Sequence, residues 1–355
     1  MNSRLSVVVG AQYGSEGKGA ICGHLSKIPG APVTCVRVGG PNAGHTVLGV
    51  GPEGSRHPWR LRTIPVAAVT NPDADLIISA GSEIDISVLL FEAEMLEDYG
   101  YKVWARLHID GQATVLTEAH INTESDMNLH ERLGSTGKGI GAARAARLLR
   151  TAPLWYEQTA LHEKFNNHPA DTAKVAREHL DRGHHVIIEG TQGYGLGLHA
   201  GHYPQCTTSD ARAIDFLSMA GINPWNANVG HFKIYAVART NPIRVAGNSG
   251  PLKGETTWEA LGLEPELTTV TRKVRRVGDW DTELVRDAFH ANGGPGNVVL
   301  ALTMLDHAVP EVANYTGPIS LLPSAAVEYI RNVEVITGAP VSLVGTGPDT
   351  IAGTI

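Results

Sequence analysis

Cysteine is scarce in this chain. The three present, Cys22, Cys35 and Cys206, stand far apart with no paired spacing. That excludes a disulfide framework and a cysteine-based zinc site, and fits a reducing cytosol. Long apolar runs are missing too, so no membrane span is expected. Nor is a secretory leader: Met1 to Arg4 is polar and the apolar run behind it is short. Positive charge is outnumbered, with 29 Lys and Arg against 36 Asp and Glu and a net charge of −7. Such a balance argues against binding a nucleic-acid polymer. Internal repeats, low-complexity tracts and a clear linker are absent as well.

Glycine, by contrast, is abundant. The 40 glycines cluster in loops behind short apolar runs, a pattern of loops built to touch ligands. The 355 residues are enough for a large buried core. Apolar runs at 5–9, 33–38, 76–79, 103–109, 186–188, 232–237, 298–302 and 341–344 read as buried strands. Helical patterns cover 18–26, 84–98, 142–149, 173–181, 211–219 and 325–332. Alternating strands and helices predict an α/β fold, a mostly parallel central sheet with helices on both faces. One domain spans 1–355, with a helical lobe expected around 111–170, where the strand signal is weakest. In such folds ligands sit beyond the carboxyl ends of the strands.

The densest loop is Gly10-Ala11-Gln12-Tyr13-Gly14-Ser15-Glu16-Gly17-Lys18-Gly19, directly after the first strand. Its glycines let backbone N–H groups approach a phosphate, a following helix adds its positive end, and Lys18 adds a point charge. It departs from the standard P-loop, which has Ser or Thr after the lysine where this chain has Gly19. A second loop, Gly39-Gly40-Pro41-Asn42-Ala43-Gly44-His45-Thr46, carries a histidine suited to charge on a transferring phosphoryl group. A third, Ser135-Thr136-Gly137-Lys138-Gly139-Ile140-Gly141, opens a basic helix with Arg144, Arg147 and Arg150 and suits a nucleotide monophosphate. At least one of those arginines reads as a solvated helix face. A fourth, Glu189-Gly190-Thr191-Gln192-Gly193, followed by 201–209, offers an amide able to read a purine edge. A cationic stretch, Thr271-Arg272-Lys273-Val274-Arg275-Arg276, suits a dicarboxylate or a phosphate. Asp306 after Thr303-Met304-Leu305, and Gly345-Thr346-Gly347-Pro348-Asp349, close the series.

In this order the motifs resemble adenylosuccinate synthetase along essentially the whole chain. The resemblance implies a P-loop-like ligase fold and a magnesium-dependent, cytoplasmic enzyme. It would join L-aspartate to C6 of a purine monophosphate. A nucleoside triphosphate first phosphorylates the 6-oxo group, and the aspartate nitrogen then displaces that phosphate. Catalysis is assigned by resemblance to Ser15, His45 and Gln192. The triphosphate would meet Ser15, Glu16, Gly17, Lys18, Gly19 and Thr46, with Asp306 and Gly347 against its base. The monophosphate would be held by Ser15, Asn42, Ser135, Thr136, Lys138, Gln192 and Thr207, and by Arg150, or as the second choice Arg147, of a neighbouring subunit, which implies a homodimer. Val270, Thr271, Arg272, Lys273 and Arg275 would hold aspartate, and Ser15 with the Gly44 carbonyl would bind Mg2+.

Ser15 stands where the family carries its catalytic aspartate. A hydroxyl is a far poorer base than a carboxylate. The change also removes a negative charge and opens space beside C2 of the purine, which points to a 2-amino purine. The match is to a viral branch of the family, 2-aminoadenylosuccinate synthetase, which uses dGMP, aspartate and ATP or dATP on the route to 2,6-diaminopurine DNA. No other carboxylate in the motif replaces the missing base. Lys138 replaces a frequent arginine, and Met304 replaces the lysine before the base-reading Asp306. Ordinary adenylosuccinate synthesis from IMP and GTP is the alternative within the family. A nucleotide-binding regulatory ATPase is the alternative outside it, against which the aspartate loop argues. The loop lacks the spacing of a dinucleotide binder.

Overall fold

The computed structural model describes residues 3–27, 29–51, 54–162, 169–226, 228–268 and 273–353. Nine strands form one sheet: β1 (Ser3–Gly10), β2 (Val33–Arg37), β3 (Asp75–Ile78), β4 (Leu107–Ile109), β5 (His185–Glu189), β6 (Val229–Arg239), β7 (Val298–Thr303), β8 (Val341–Gly345) and β9 (Ile351–Ala352). Their order is β9-β8-β7-β6-β1-β5-β2-β3-β4. All neighbours run parallel except the edge pair β8–β9. The eight strands expected from apolar runs are the eight parallel ones. The run at 103–109 is strand only from Leu107, because Val103 to Arg106 forms a turn that Glu97 caps through the Trp104 N–H.

Central strands are apolar on both sides because both faces are covered. Leu5, Val7 and Val9 of β1 enter one core with Phe216, Phe289 and Ile330. Val8 enters the other with Ile21, Leu25, Leu89 and Trp155. The first face is covered by helices Thr172–Asp181, Ala213–Ala220, Thr282–Ala291 and Ser324–Thr337, the second by Lys18–Ser26 and Ile86–Asp98. Helix Thr282–Ala291 has no counterpart in the sequence reading; Asp281 caps it by accepting the Leu284 N–H. A two-stranded hairpin, His45–Val50 with Arg56–Leu61, follows β2 and packs on helix Lys18–Ser26. Between 111 and 170 lie helices Glu118–Asp126, Leu129–Leu133 and Ile140–Leu148. Among the described residues no helix is long and apolar enough to cross a membrane.

Candidate active site

Parallel strands send their carboxyl ends to one side, and the loops after β1, β2, β5, β7 and β8 meet there around a cavity of about 640 Å³. That volume suits small-molecule ligands. The loop after β1 is closed by Glu16. Its carboxylate is fully buried and accepts from the N–H groups of Gln12 and Gly14 and from Lys18 Nζ at 2.5 Å. Gly17 has φ 93°, a left-handed conformation, and opens the helix Lys18–Ser26. A Cβ on Gly19 would stand 2.8 Å from His45 Cβ and 3.2 Å from the Thr46 nitrogen. The hairpin's approach therefore excludes the Ser or Thr of a standard P-loop.

Beneath the second loop lies a buried triad. Arg37 and Glu189 end neighbouring strands in register, and both are almost fully inaccessible. Arg37 Nη1 donates to Glu189 Oε1 at 2.6 Å, and His45 Nδ1 lies 2.6 Å from the same oxygen. The Val66 N–H donates to the other carboxylate oxygen. Burial pushes the Glu189 carboxyl up, but the Arg37 charge and the His45 bond outweigh it and hold it at about 2. Burial, then the Arg37 charge, holds His45 at about 4, so its imidazole is neutral at pH 7. Arg37 also ties down the loop by donating to the carbonyls of Ala43 and Arg62.

A second ion pair, with Arg239 buried and Glu266 partly exposed, reaches the cavity wall. Arg239, at the end of β6, binds Glu266 through both terminal nitrogens and donates to the Ser15 carbonyl at 3.4 Å. Arg275 approaches the same carboxylate at 3.8 Å. Burial pushes Glu266 up, yet the two arginines hold it below the usual carboxylate value. Glu124 accepts from the N–H groups of Gly139 and Gly141 and so shapes the third glycine loop. Arg244 lies 4.3 Å over the Tyr13 ring.

Ser15, Gly17, Lys18, Gly19, Asn42, Gly44, His45, Thr46, Ser135, Thr136, Gln192, Thr207, Arg275, Asp306 and Gly347 all line the cavity. Ser15, Gln192 and Met304 sit in its wall with φ between 57° and 63°, a strain that concentrates at functional sites. Other expected residues stand elsewhere. Glu16 turns its charge into the loop, where a carboxylate meets N–H groups and Lys18 instead of repelling phosphate. Lys138 and Lys273 are outside the wall, and Lys273 Nζ lies 3.3 Å from His130 Nε2. Arg150 is exposed beyond the cavity. Val270, Thr271 and Arg272 lie outside the described residues. Of the neighbouring cations, Arg144 pairs with Glu83 at 2.6 Å, and Arg276 pairs with Glu255.

The family model for adenylosuccinate synthetase matches residues 7–155 and 149–312. The chain belongs to the adenylosuccinate synthetase family. This synthetase is thus a carbon–nitrogen ligase that uses aspartate and a nucleoside triphosphate. It is 35% identical to adenylosuccinate synthetase of Thermococcus sibiricus over 346 residues, covering 97% of this chain and 96% of the relative. With the enzyme of Methanocaldococcus jannaschii it shares 36% over 349 residues, 97% of this chain and 94% of the relative. Among solved structures it is similar to succinoaminodeoxyadenylate synthetase of cyanophage S-2L, bound to dGMP and to dATP as an energy donor. The TM-score is 0.77 at 28% identity, covering 98% of this chain and 94% of that one. The fully ligated Plasmodium falciparum adenylosuccinate synthetase shares the fold, with a TM-score of 0.81 at 20% identity and full coverage of both chains.

Proposed function

We propose that this synthetase joins L-aspartate to dGMP, driven by ATP or dATP, and yields N6-succino-2-amino-2'-deoxyadenylate. Ser15 carries the reading. It is exposed in the cavity wall, where the family resemblance expects an aspartate. Its neighbour Glu16 cannot substitute, because that carboxylate is buried and bonded inside the loop. A 2-amino purine then meets a neutral hydroxyl at this point. The cyanophage protein solved with dGMP and dATP supports the same choice.

Gly17, Lys18 and Gly19 would hold the donor phosphates, and Asp306 and Gly347 its base. Asn42, Ser135, Thr136, Gln192 and Thr207 would hold the monophosphate, and Arg275 the aspartate. The donor phosphoryl goes to the purine 6-oxygen, and the aspartate nitrogen expels it as phosphate. His45 faces that transfer, fixed by Arg37 and Glu189. Magnesium takes oxygen ligands and is usually shared with substrate phosphates. The Ser15 hydroxyl and Gly44 carbonyl belong to wall residues and fit an ion held chiefly by those phosphates. When bound, the ion supplies positive charge against the phosphate oxygens.

Glu124 and Glu266 also reach the wall, but the first is committed to two N–H groups and the second to two arginines. Neither is free to act as the missing base, and Asp306, the third carboxylate of the wall, is the one this reading sets against the donor base; the N1 proton then leaves to water or to a phosphate oxygen. We further propose a homodimer: Arg150 is exposed outside the cavity beside Leu148 and Leu149, at 75% and 73% exposure.

The names of the archaeal relatives, together with Asp306, favour a second reading, adenylosuccinate synthesis from IMP and GTP. Product mass decides. The protein is incubated with Mg2+, aspartate, ATP, dATP or GTP, and either dGMP or IMP. Succinylated 2-amino-deoxyadenylate from dGMP, with little product from IMP, supports the proposal. Product from IMP alone refutes it.

A further inference from the structure

At the amino ends of the strands, opposite the cavity, histidines gather around one carboxylate. Asp75 opens β3, His108 lies in β4, His179 is in the last turn of helix Thr172–Asp181, and His184 lies in the turn before β5. One donor atom each from Asp75, His179 and His184 lies within 4.8 Å of the others. Thr34 of β2 sits among them, its Oγ1 2.8 Å from His179 Nδ1 and 3.0 Å from His184 Nδ1. We propose that Asp75, His179 and His184 bind one divalent transition-metal ion of the zinc type, at a site separate from the nucleotide cavity.

The spacing carries the argument. Asp75 and His179 approach to 3.7 Å, and Asp75 and His108 to 4.0 Å. Both distances exceed a hydrogen bond, although carboxylate and imidazole are suited to close. Two ligands of one tetrahedral zinc, with bonds of about 2.0–2.2 Å, stand roughly 3.3–3.6 Å apart. The Asp75–His179 gap is slightly above that width, and the Asp75–His108 gap is wider still, so the ion would draw its ligands inward. Thr34 bridges the two imidazoles, able to donate to one and accept from the other. An ion would displace the hydroxyl from the nitrogen it takes. The His184 ring stacks on His179 at 4.4 Å and turns about its own side-chain bonds to bring a nitrogen to the ion. Water or His108 completes four-fold coordination.

Chemistry selects the ion. Imidazole nitrogen suits zinc, cobalt or nickel, whereas magnesium demands oxygen. Asp75 supplies the negative charge, and the nearby Arg182 opposes it. The site is open to entry, with Asp75 and His108 side chains about 30% exposed. A bound ion would tie the start of β3 to the helix and turn that lead into β5, far in sequence but adjacent in space.

The test is Co2+ titration of the tag-free full-length protein in excess Mg2+, read by visible absorption. Zn2+ competition and melting temperature are read alongside. The expected result is one equivalent of Co2+ with tetrahedral absorption, displaced by Zn2+, and a melting temperature that rises with Zn2+. His184→Ala and Asp75→Asn should each weaken binding at least about 10-fold. His199→Ala, which removes a different His–Asp pair, should leave binding intact. No bound Co2+ in the wild type, or unchanged binding in His184→Ala, overturns the proposal. His184 is only half-buried, so that variant keeps the test decisive if Asp75→Asn does not fold.

Discussion

Glu189→Gln removes one charge from a triad in which Arg37, His45 and Glu189 are all buried. The carboxyl is held at about 2 against an ordinary 4.5. At 1.36 kcal/mol for each pH unit, that difference corresponds to about 3 kcal/mol of folding stability. An independent route agrees: removing one partner of a buried ion pair costs about 3–5 kcal/mol, because the other charge is left uncompensated. The folded value is depressed, so this stability is fully present above pH 4.5 and is lost as pH falls toward 2. With an unfolding entropy of about 2.1 cal/mol/K per residue over 355 residues, 3 kcal/mol corresponds to roughly 4 °C in melting temperature. The assay is calorimetry of wild type and variant at pH 7.5, then denaturant titration of both from pH 7 to pH 3. The variant should melt about 4 °C lower at pH 7.5, and the gap should narrow with acid. A difference under 1 °C, or a gap that does not change with pH, would refute the charged triad.

Ser15→Asp should move the kcat/KM preference from dGMP toward IMP by about 100-fold or more, since an added carboxylate works by repulsion as well as attraction. The left-handed backbone at this position tolerates Asp, so the variant should fold, and product mass reads the switch. Gly19→Ala inserts a methyl 2.8 Å from His45 Cβ, an overpacking worth about 1–3 kcal/mol, and should lower kcat more than it raises KM. Arg150→Ala should lose activity alone and regain part of it when mixed with inactive Lys18→Ala protein, because hybrid dimers restore one complete site. Failure to complement in steady-state assays would argue against a shared arginine.

The sheet was legible because buried parallel strands are uninterrupted apolar runs, and all eight parallel strands lie on such runs. The glycine loops were legible because backbone approach to a ligand leaves its mark as glycine. Apart from the helix Thr282–Ala291, what escaped depends mostly on a partner distant in sequence. Arg37 and Glu189 each end an apolar strand with a charge. Only the neighbouring register of β2 and β5 turns them into a pair. Arg239, Glu266 and Glu124 gave no local pattern, since their partners lie 27 residues away, at Ser15, and in the third glycine loop. The role of the Glu16 side chain escaped for a related reason. Its place in a phosphate loop suggests a ligand contact, and the geometry adds that its carboxylate is the loop's internal brace. The four-cation stretch looked uniform, yet its described members divide: Arg276 is paired with Glu255, while Arg275 reaches the cavity.

The division of labour within the first loop explains how residue 15 can differ without disturbing its neighbours. The loop's shape depends on Glu16, which gathers two N–H groups and the lysine ammonium, while Thr303 donates to the Glu16 carbonyl at 2.5 Å. Ser15 contributes to none of these side-chain bonds; its carbonyl alone is used, by Arg239. Its φ of 58° points the side chain into the cavity wall, in a conformation that small polar residues accept at low cost. Residue 16 thus braces the loop, and residue 15 stands in the cavity wall, where the proposed reading puts the purine. Under that reading, a change between carboxylate and hydroxyl at 15 alters the charge facing the base and leaves the loop standing. Specificity at this site is therefore separable from folding, which is why a single substitution at 15 should exchange one purine for another while the melting temperature barely moves.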